Sequence, residues 1–387
     1  MNILLICHEF PPVGAGTANA VMSIGRELAK DHAVTVLTSS VRGLPAHDEK
    51  DGVEIIRTAS LRRNIYGMSP FELFVFTLSA IPSAMRLHRR NRFHCCLAFH
   101  GIPAGWVSLA LWKFCRVPYV VSLRGADVPG FLPAKYDRFH RLAGGLTRLS
   151  WRNARRVVAN SRGLKELAEP TASAIGVEVD VIPNGVDSDF YRPAESTKTV
   201  PARKALFAGR VTEQKGLIYL LEALAERAME LRGRLKVEIV GDGDLKTGLE
   251  RLAEKRGLDS IVSFFPRLTQ EDLRKKYQRS GFFILPSLAE GMSNVIVEAM
   301  ACGLPVAATA IDANAELIRE GVDGFLFPPR DVAALGRVLV RIAQMDEGEL
   351  SAMGRSSRER VKDLSWSQAA AAYLGCFSAR AAGGVSA

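Results

Sequence analysis

No Cys-x-x-Cys pair occurs in the 387 residues, although six cysteines are present (Cys7, Cys95, Cys96, Cys115, Cys302, Cys376). Their irregular spacing speaks against a zinc ribbon or a disulfide framework, and they read as small apolar residues of a reducing compartment. Aromatic residues are scarce at 7%, and few of them stand among the basic residues. The interleaving of bases and aromatics that grips nucleic acid is therefore missing, and nucleic acid is not expected as a partner. The first residues, MNILLICHEF, lack the basic leader and long apolar core of a signal peptide and read as a first strand. One uncharged stretch, residues 93–112, has the length of a membrane span. His100, Gly101, Pro103 and Gly105 interrupt it, so a buried strand, a turn and a buried helix are expected there instead. The expected location is cytoplasmic.

What is present is the balance of a globular protein: 48% hydrophobic and 24% charged residues, enough for two sizeable cores in a chain of this length. The net charge of +10 is unevenly spread. Residues 1–186 hold 23 Lys+Arg against 14 Asp+Glu, a net +9, and residues 187–387 hold 28 against 27, a net +1. A basic first half beside a neutral second half points to an anionic partner, with an anionic membrane surface as the better candidate. The segment FELFVFTLSAIPSAMRLHRRNR (71–92) adds to this. Phe71, Phe74, Val75, Leu78 and Ile81 recur at helical spacing, and four arginines follow at 86, 89, 90 and 92. Such a helix either lies in the headgroup region, peripherally, or is an ordinary buried helix with a solvated basic end.

Short apolar runs alternate with amphipathic segments throughout, the pattern of parallel α/β architecture. Strands are expected at 2–6, 33–38, 53–57, 95–99, 119–123 and 156–159, with a helix over 18–30. A second series is expected at 204–207, 236–240, 262–264, 282–285 and 306–308. Between them IPNGVDSDFYRPAESTKTVPARK is polar and aperiodic. The expected organisation is thus an N-terminal domain over 1–186, a linker over 187–202, a second domain over 203–364 and a C-terminal helix over 365–387 that crosses back to pack on the N-terminal domain.

The segment richest in chemistry is LPSLAEGMSNVIVEAMACGLPVAAT, 285–309. A strand ends at Leu285, and a helix begins near Ser293 or Asn294. Gly303 and Pro305 stop it. The N–H groups at its start can hold an anion, with Glu290 before them and Glu298 one turn in, placed to accept hydrogen bonds from sugar hydroxyls. Arg210 and Lys215 follow a central strand, where α/β folds bind ligands. Gly14 and Gly16 also follow a strand and precede a helix, but Ala20, Val21 and Met22 stand where a dinucleotide fingerprint needs its third glycine. Asp187-Ser188-Asp189 spells the Asp-x-Asp of metal-dependent transferases, yet its place in the NGVD segment makes it a turn cap.

Glu290-x7-Glu298 within this segment resembles the signature of retaining GT-B glycosyltransferases of family 4, and five further stretches follow in that family's order. LFAGRVTEQKG (206–216) resembles its donor-pyrophosphate loop, with Arg210 and Lys215. PPVGAGTANAV (11–21) resembles its glycine loop, VIPNGVDSDFY (181–191) its interdomain segment, VEIVGDGDLKTGLE (237–250) the loop near the base, and AELIREGVDGFLFPPRD (315–331) its closing segment. The resemblance implies two Rossmann-like domains whose parallel sheets face an interdomain cleft. A hexose from a UDP- or GDP-sugar would be moved, with retention, to a saccharide or lipid-linked acceptor, in surface polysaccharide or glycolipid synthesis. It implies Arg210, Lys215 and Glu290 as catalytic. Gly14, Gly16, Gly241, Arg267, Gly291, Met292, Ser293, Asn294, Glu298 and Glu316 would bind the donor. His100, Arg124 and Asp127 would stand on the acceptor or sugar side. No cofactor and no metal are expected. After the fifth strand the family often carries His-Gly and then Asp. Here SLRGADVPGF puts Arg124 at the histidine's place and keeps Gly125 and Asp127. A guanidinium cannot serve as a base near neutrality. Rival readings are a nucleotide-sugar epimerase on the same architecture and a non-catalytic nucleotide-sugar-binding module.

Overall fold

The computed structural model describes residues 1–63, 65, 67–194 and 203–378, with the backbone alone at 133–135. Residues 195–202 of the expected linker and 379–387 of the tail lie outside the described residues. The chain divides into two compact units: Met1–Gly185 joined by the segment that starts at Trp366, and Val186–Ser365.

The first unit is built on an eight-stranded sheet. Its strands are β1 (Asn2–Ile6), β2 (Ala33–Ser39), β3 (His47–Lys50), β4 (Val53–Thr58), β5 (Cys95–Phe99), β6 (Tyr119–Leu123), β7 (Arg156–Ala159) and β8 (Val179–Val181). They lie in the order β3-β4-β2-β1-β5-β6-β7-β8. Only the β3–β4 pair is antiparallel. NILLI, CCLAF and YVVSL are buried almost end to end, as strands covered on both faces require. Residues 93–112 form β5, a turn and most of the helix Ala104–Cys115, and among the described residues no helix is long and apolar enough to cross a membrane.

The tail helix, Trp366–Ser378, belongs to this unit's core. Trp366, Ala369, Ala370 and Tyr373 pack with Ile3, Leu5, Val21 and Ile24. Its Tyr373 hydroxyl meets Ser122 Oγ at 2.7 Å, and Arg155 Nε donates to the Cys376 carbonyl at 3.2 Å.

The second unit has six parallel strands: β9 (Lys204–Ala208), β10 (Lys236–Val240), β11 (Val262–Phe265), β12 (Phe282–Leu285), β13 (Val306–Thr309) and β14 (Gly324–Phe327). Their order is β11-β10-β9-β12-β13-β14. Both sheets are thus doubly wound, and each reverses its strand order at one place: between β1 and β5 in the first, between β9 and β12 in the second. Ligands of open α/β sheets bind outside the carboxyl ends of the strands at such points.

Three strands fall outside the sequence expectation. β3 is HDEK and mostly exposed, so it carries no apolar alternation to read. β8 has only three residues, and β14 follows a loop that masks its short FLF run. The first helix starts at Gly16, two residues earlier than expected. The 71–92 segment forms the helix Pro70–Asn91, opened by a reciprocal capping box between Ser69 and Glu72. Its inward face is Phe76, Ala80, Ala84 and Leu87. Phe71, Phe74 and Leu78 are 64%, 55% and 57% exposed, so they form an outward stripe and not part of the core. Val75 and Ile81 are partly buried.

Candidate active site

In the second unit the loop after β9 folds back on the loop after β12. Gly216 has φ 61°, and a Cβ there would stand 2.1 Å from the Pro286 carbonyl oxygen, so only glycine lets the two backbones approach. Two hydrogen bonds fasten the loops. Leu288 N–H donates to the Gln214 carbonyl at 2.7 Å, and Gln214 Nε2 donates to the Ala289 carbonyl at 2.8 Å.

This apposition brings Lys215 and Glu290 together from 75 residues apart, Nζ to Oε1 at 2.5 Å, with side chains 11% and 8% exposed. Arg210 lies half-buried in the same loop. Gly291, Met292 and Ser293 lead into the helix Asn294–Ala301, whose N-cap, Ser293, makes no side-chain cap bond. Ser293 Oγ is buried with no hydrogen-bond partner among the described residues. The start of a helix is where an anion is favoured, and the Lys215 ammonium is held by Glu290 of the loop that leads into this one.

Glu298 sits one turn into that helix and faces aromatic neighbours. Tyr277 Oη donates to its Oε2 at 3.0 Å, and Tyr191 hydrogen-bonds it as well. Burial pushes its carboxyl up to about 7, and the two tyrosine bonds only partly offset this. Both tyrosines are themselves buried, and burial followed by the Glu298 charge raises their hydroxyls above the ordinary range. Sequence reading missed Tyr191 and Tyr277, since neither stands in a pattern that separates it from core aromatics.

The loop after β10 lies against that after β9. A Cβ on Gly241 (φ 148°) would stand 1.9 Å from the Gly209 carbonyl oxygen. Asp242, also missed, organises the neighbourhood: it accepts from Lys246 Nζ at 2.9 Å and from the Arg267 backbone N–H at 2.8 Å. Arg267 itself is exposed. Glu316 is the C-cap of the short helix Asp312–Ala315, and its carbonyl accepts from Arg360 at 2.9 Å. The Asp-x-Asp pair behaves as a turn: Asp187 Oδ1 accepts from Phe190 N–H at 3.0 Å, and Asp189 is exposed.

In the first unit Gly14 has φ 85° and donates its N–H to the Ile65 carbonyl at 2.8 Å, just before the helix that opens at Gly16. Asp127 is buried and fully engaged with backbone: Oδ2 accepts from Gly101 at 2.6 Å, and Oδ1 from Arg124 and Gly125 at 2.9 Å each. It therefore ties the loop after β5 to the loop after β6. The Arg124 guanidinium lies over the Phe99 ring, 4.8 Å from its centroid. It donates to Asn184 Oδ1 at 2.6 Å and to the Tyr373 hydroxyl at 3.2 Å. His100 closes β5 with φ 80° and stacks near His8, ring centroids 4.7 Å apart. Burial, then the charges of His100 and Arg62, hold the His8 ring well below the usual histidine range.

Paired doubly-wound units of this kind define the GT-B class of glycosyltransferases. Sucrose-phosphate synthase from Thermosynechococcus elongatus has the same fold, with a TM-score of 0.84 at 21% identity over 98% of both chains. Residues 202–345 match the family model described as glycosyl transferases group 1, and residues 14–190 match that of Glycosyltransferase Family 4. A D-inositol 3-phosphate glycosyltransferase from Streptomyces bingchenggensis is 30% identical over 78% of this chain and 70% of its own length. A GDP-mannose:cellobiosyl-diphosphopolyprenol alpha-mannosyltransferase from Xanthomonas oryzae pv. oryzae is 28% identical over 97% of this chain and 96% of its own. The chain belongs to glycosyltransferase family 4.

Proposed function

We propose that this glycosyltransferase works with retention and without a metal, moving a hexose from a UDP- or GDP-sugar to a lipid-linked acceptor. The observation that carries the reading is the Lys215–Glu290 pair, with Glu290 in the loop that leads into the Asn294–Ala301 helix. A nucleoside diphosphate arriving there would take the Lys215 ammonium and the helix N–H groups, with Arg210 from the same loop. Glu290, released from Lys215, would turn to the sugar hydroxyls. These groups then stabilise charge as the diphosphate leaves, the role of fixed donors aimed at a developing anion. The donor's own phosphate oxygen takes the acceptor proton, so no protein base is called for, and Arg124 at the family's histidine position costs no step. Glu298 would hold ribose hydroxyls, with its carboxyl already oriented by Tyr191 and Tyr277.

The acceptor reading rests on the first unit's surface. The outward stripe of Phe71, Phe74 and Leu78 runs toward Arg86, Arg89, Arg90 and Arg92, all exposed. A second helix, Pro133–Asn153, exposes Leu142, Leu146 and Leu149 beside Arg138, Arg141, Arg148 and Arg152. Apolar stripes set among arginines suit peripheral contact with an anionic membrane, each basic residue near the surface adding about 1 kcal/mol. A relative named for a diphosphopolyprenol acceptor supports the same choice.

The test is transfer from UDP- and GDP-hexoses to polyprenyl-diphosphate saccharides, with product anomers read by NMR and EDTA present. Retained anomeric configuration and undiminished turnover in EDTA are expected. Inversion, or activity that returns only with Mn²⁺ or Mg²⁺, would overturn the mechanism. Donor consumed with no acceptor would favour the epimerase.

A further inference from the structure

We infer that Cys7, His8 and His100 form a binding site for one divalent transition-metal ion of the Zn²⁺ class, an ion that the proposed transfer step does not call on. Among the described residues these are the one set of three metal-ligating side chains whose ligand atoms all lie within 4.8 Å of one another. In a tetrahedral zinc site, ligand atoms about 2.0–2.3 Å from the ion stand within about 4 Å of each other, so a small closure of the side chains completes the shell. One thiolate and two imidazoles are the donor set that zinc and cobalt favour.

The position follows from topology. Cys7 and His8 directly follow β1 and His100 directly follows β5, the two strands between which the first sheet reverses its order. That is where a doubly-wound sheet takes its ligand. Two local features point to a missing partner. His8 is 8% exposed, and its Nδ1 is buried with no hydrogen bond among the described residues. Buried polar atoms are rarely left so. His100 Nδ1 lies 3.1 Å from the Phe99 carbonyl, which fixes the ring proton there and leaves Nε2 with its lone pair free, as metal-bound histidines commonly are. The backbone of His100, in the left-handed region at φ 80°, is a conformation that non-glycine residues hold only where the surroundings impose it. Three charges act on Cys7, the Glu9 carboxylate and the Arg62 and Arg124 guanidiniums, and Arg62 pairs with Glu9 at 3.7 Å. On binding, the Cys7 thiol proton passes to solvent and the sulfur electron pair forms the bond to the metal.

Titration of the full chain with Co²⁺, followed by absorption, tests the site without reference to catalysis. One ion per chain is expected, with a thiolate-to-cobalt charge-transfer band in the near ultraviolet that Zn²⁺ bleaches. Cys7→Ser should abolish the band and His100→Gln should weaken binding by at least about tenfold, while Cys115→Ser, at the least buried cysteine, should change neither. His100 is only partly buried, so H100Q serves if C7S fails to fold. Cobalt binding without the band, the band surviving C7S, unweakened H100Q binding, or no binding below millimolar Co²⁺ would each overturn the assignment. Nucleotide-sugar binding, measured in parallel, reports on the transferase reading by itself.

Discussion

Exchanging Glu298 for Gln should make the ligand-free protein more stable above neutral pH and remove part of its pH dependence. In the fold this carboxyl is buried under Tyr277 and Tyr191 and titrates at about 7, against 4.5 for an ordinary glutamate. Between those values the folded chain keeps a proton that the unfolded chain has released. The stability tied to that proton is fully present below about 4.5 and is lost as pH rises through about 7. At about 1.4 kcal/mol per pKa step, the native chain forfeits about 3 kcal/mol by pH 8. Gln is nearly isosteric with the protonated acid, and its amide oxygen still accepts the Tyr277 hydroxyl, so below about pH 4.5 the variant should match the native chain. For a unit of this size about 1 kcal/mol moves the melting temperature by about 2–4 °C. E298Q should therefore melt roughly 6–12 °C above the native chain at pH 8, with the gap narrowing to about 2–3 °C at pH 5 and closing below about 4.5. Urea denaturation and thermal melts at pH 5, 6, 7 and 8, without nucleotide, give the two curves. Their difference cancels every other titrating group. Parallel curves across this range would falsify the claim that Glu298 is protonated in the folded state near neutrality.

Lys215→Ala and Arg210→Ala should each lower turnover roughly 10²-fold or more, as loss of a charge-stabilising donor does; near-native turnover in both counts against the phosphate clamp. Tyr373→Phe should destabilise the first unit by about 1–3 kcal/mol, because it strands the buried Ser122 hydroxyl and removes one Arg124 acceptor; an unchanged urea midpoint speaks against that network. Binding to anionic liposomes should rise with anionic lipid content, fall with salt, and weaken when Arg89, Arg90 and Arg92 become Glu. A protein that ignores such liposomes at low salt would point to a soluble acceptor.

The strands and the loops that carry the candidate groups at the sheet edge were legible because buried parallel strands read as continuous apolar runs and the loops between them are punctuated by glycine. Lys215, Glu290 and the helix start follow from that punctuation. Other features carry no local signature. That Glu290 meets Lys215 across 75 residues depends on Gly216 letting two backbones touch, which is a tertiary fact. Tyr277 belongs to the polar helix QEDLRKKYQ and becomes a carboxylate partner only through packing. Asp127, read as facing the acceptor or sugar, gives both its oxygens to backbone N–H groups. Arg124, conspicuous in sequence as a departure from the family pattern, is held by Asn184 and by Tyr373 from the tail helix. Helical spacing found the apolar residues of the 71–92 segment, but only the fold shows that Phe76, Ala80 and Ala84 point inward and Phe71, Phe74 and Leu78 outward.

The tail helix sets an order on the making of the molecule. The second unit is continuous in the chain, Val186–Ser365, so every residue of its core has been synthesised before Trp366 appears. The first unit is begun earliest and finished last. Until Trp366, Ala369, Ala370 and Tyr373 leave the ribosome, the faces of Val21 and Ile24 that they cover stay open to water, and Ser122 lacks its tyrosine. Domains emerging from synthesis usually fold from the N-terminus onward. Here the N-terminal unit waits for the C-terminal helix, and a nascent chain stalled before it would hold a complete second unit behind an unfinished first one.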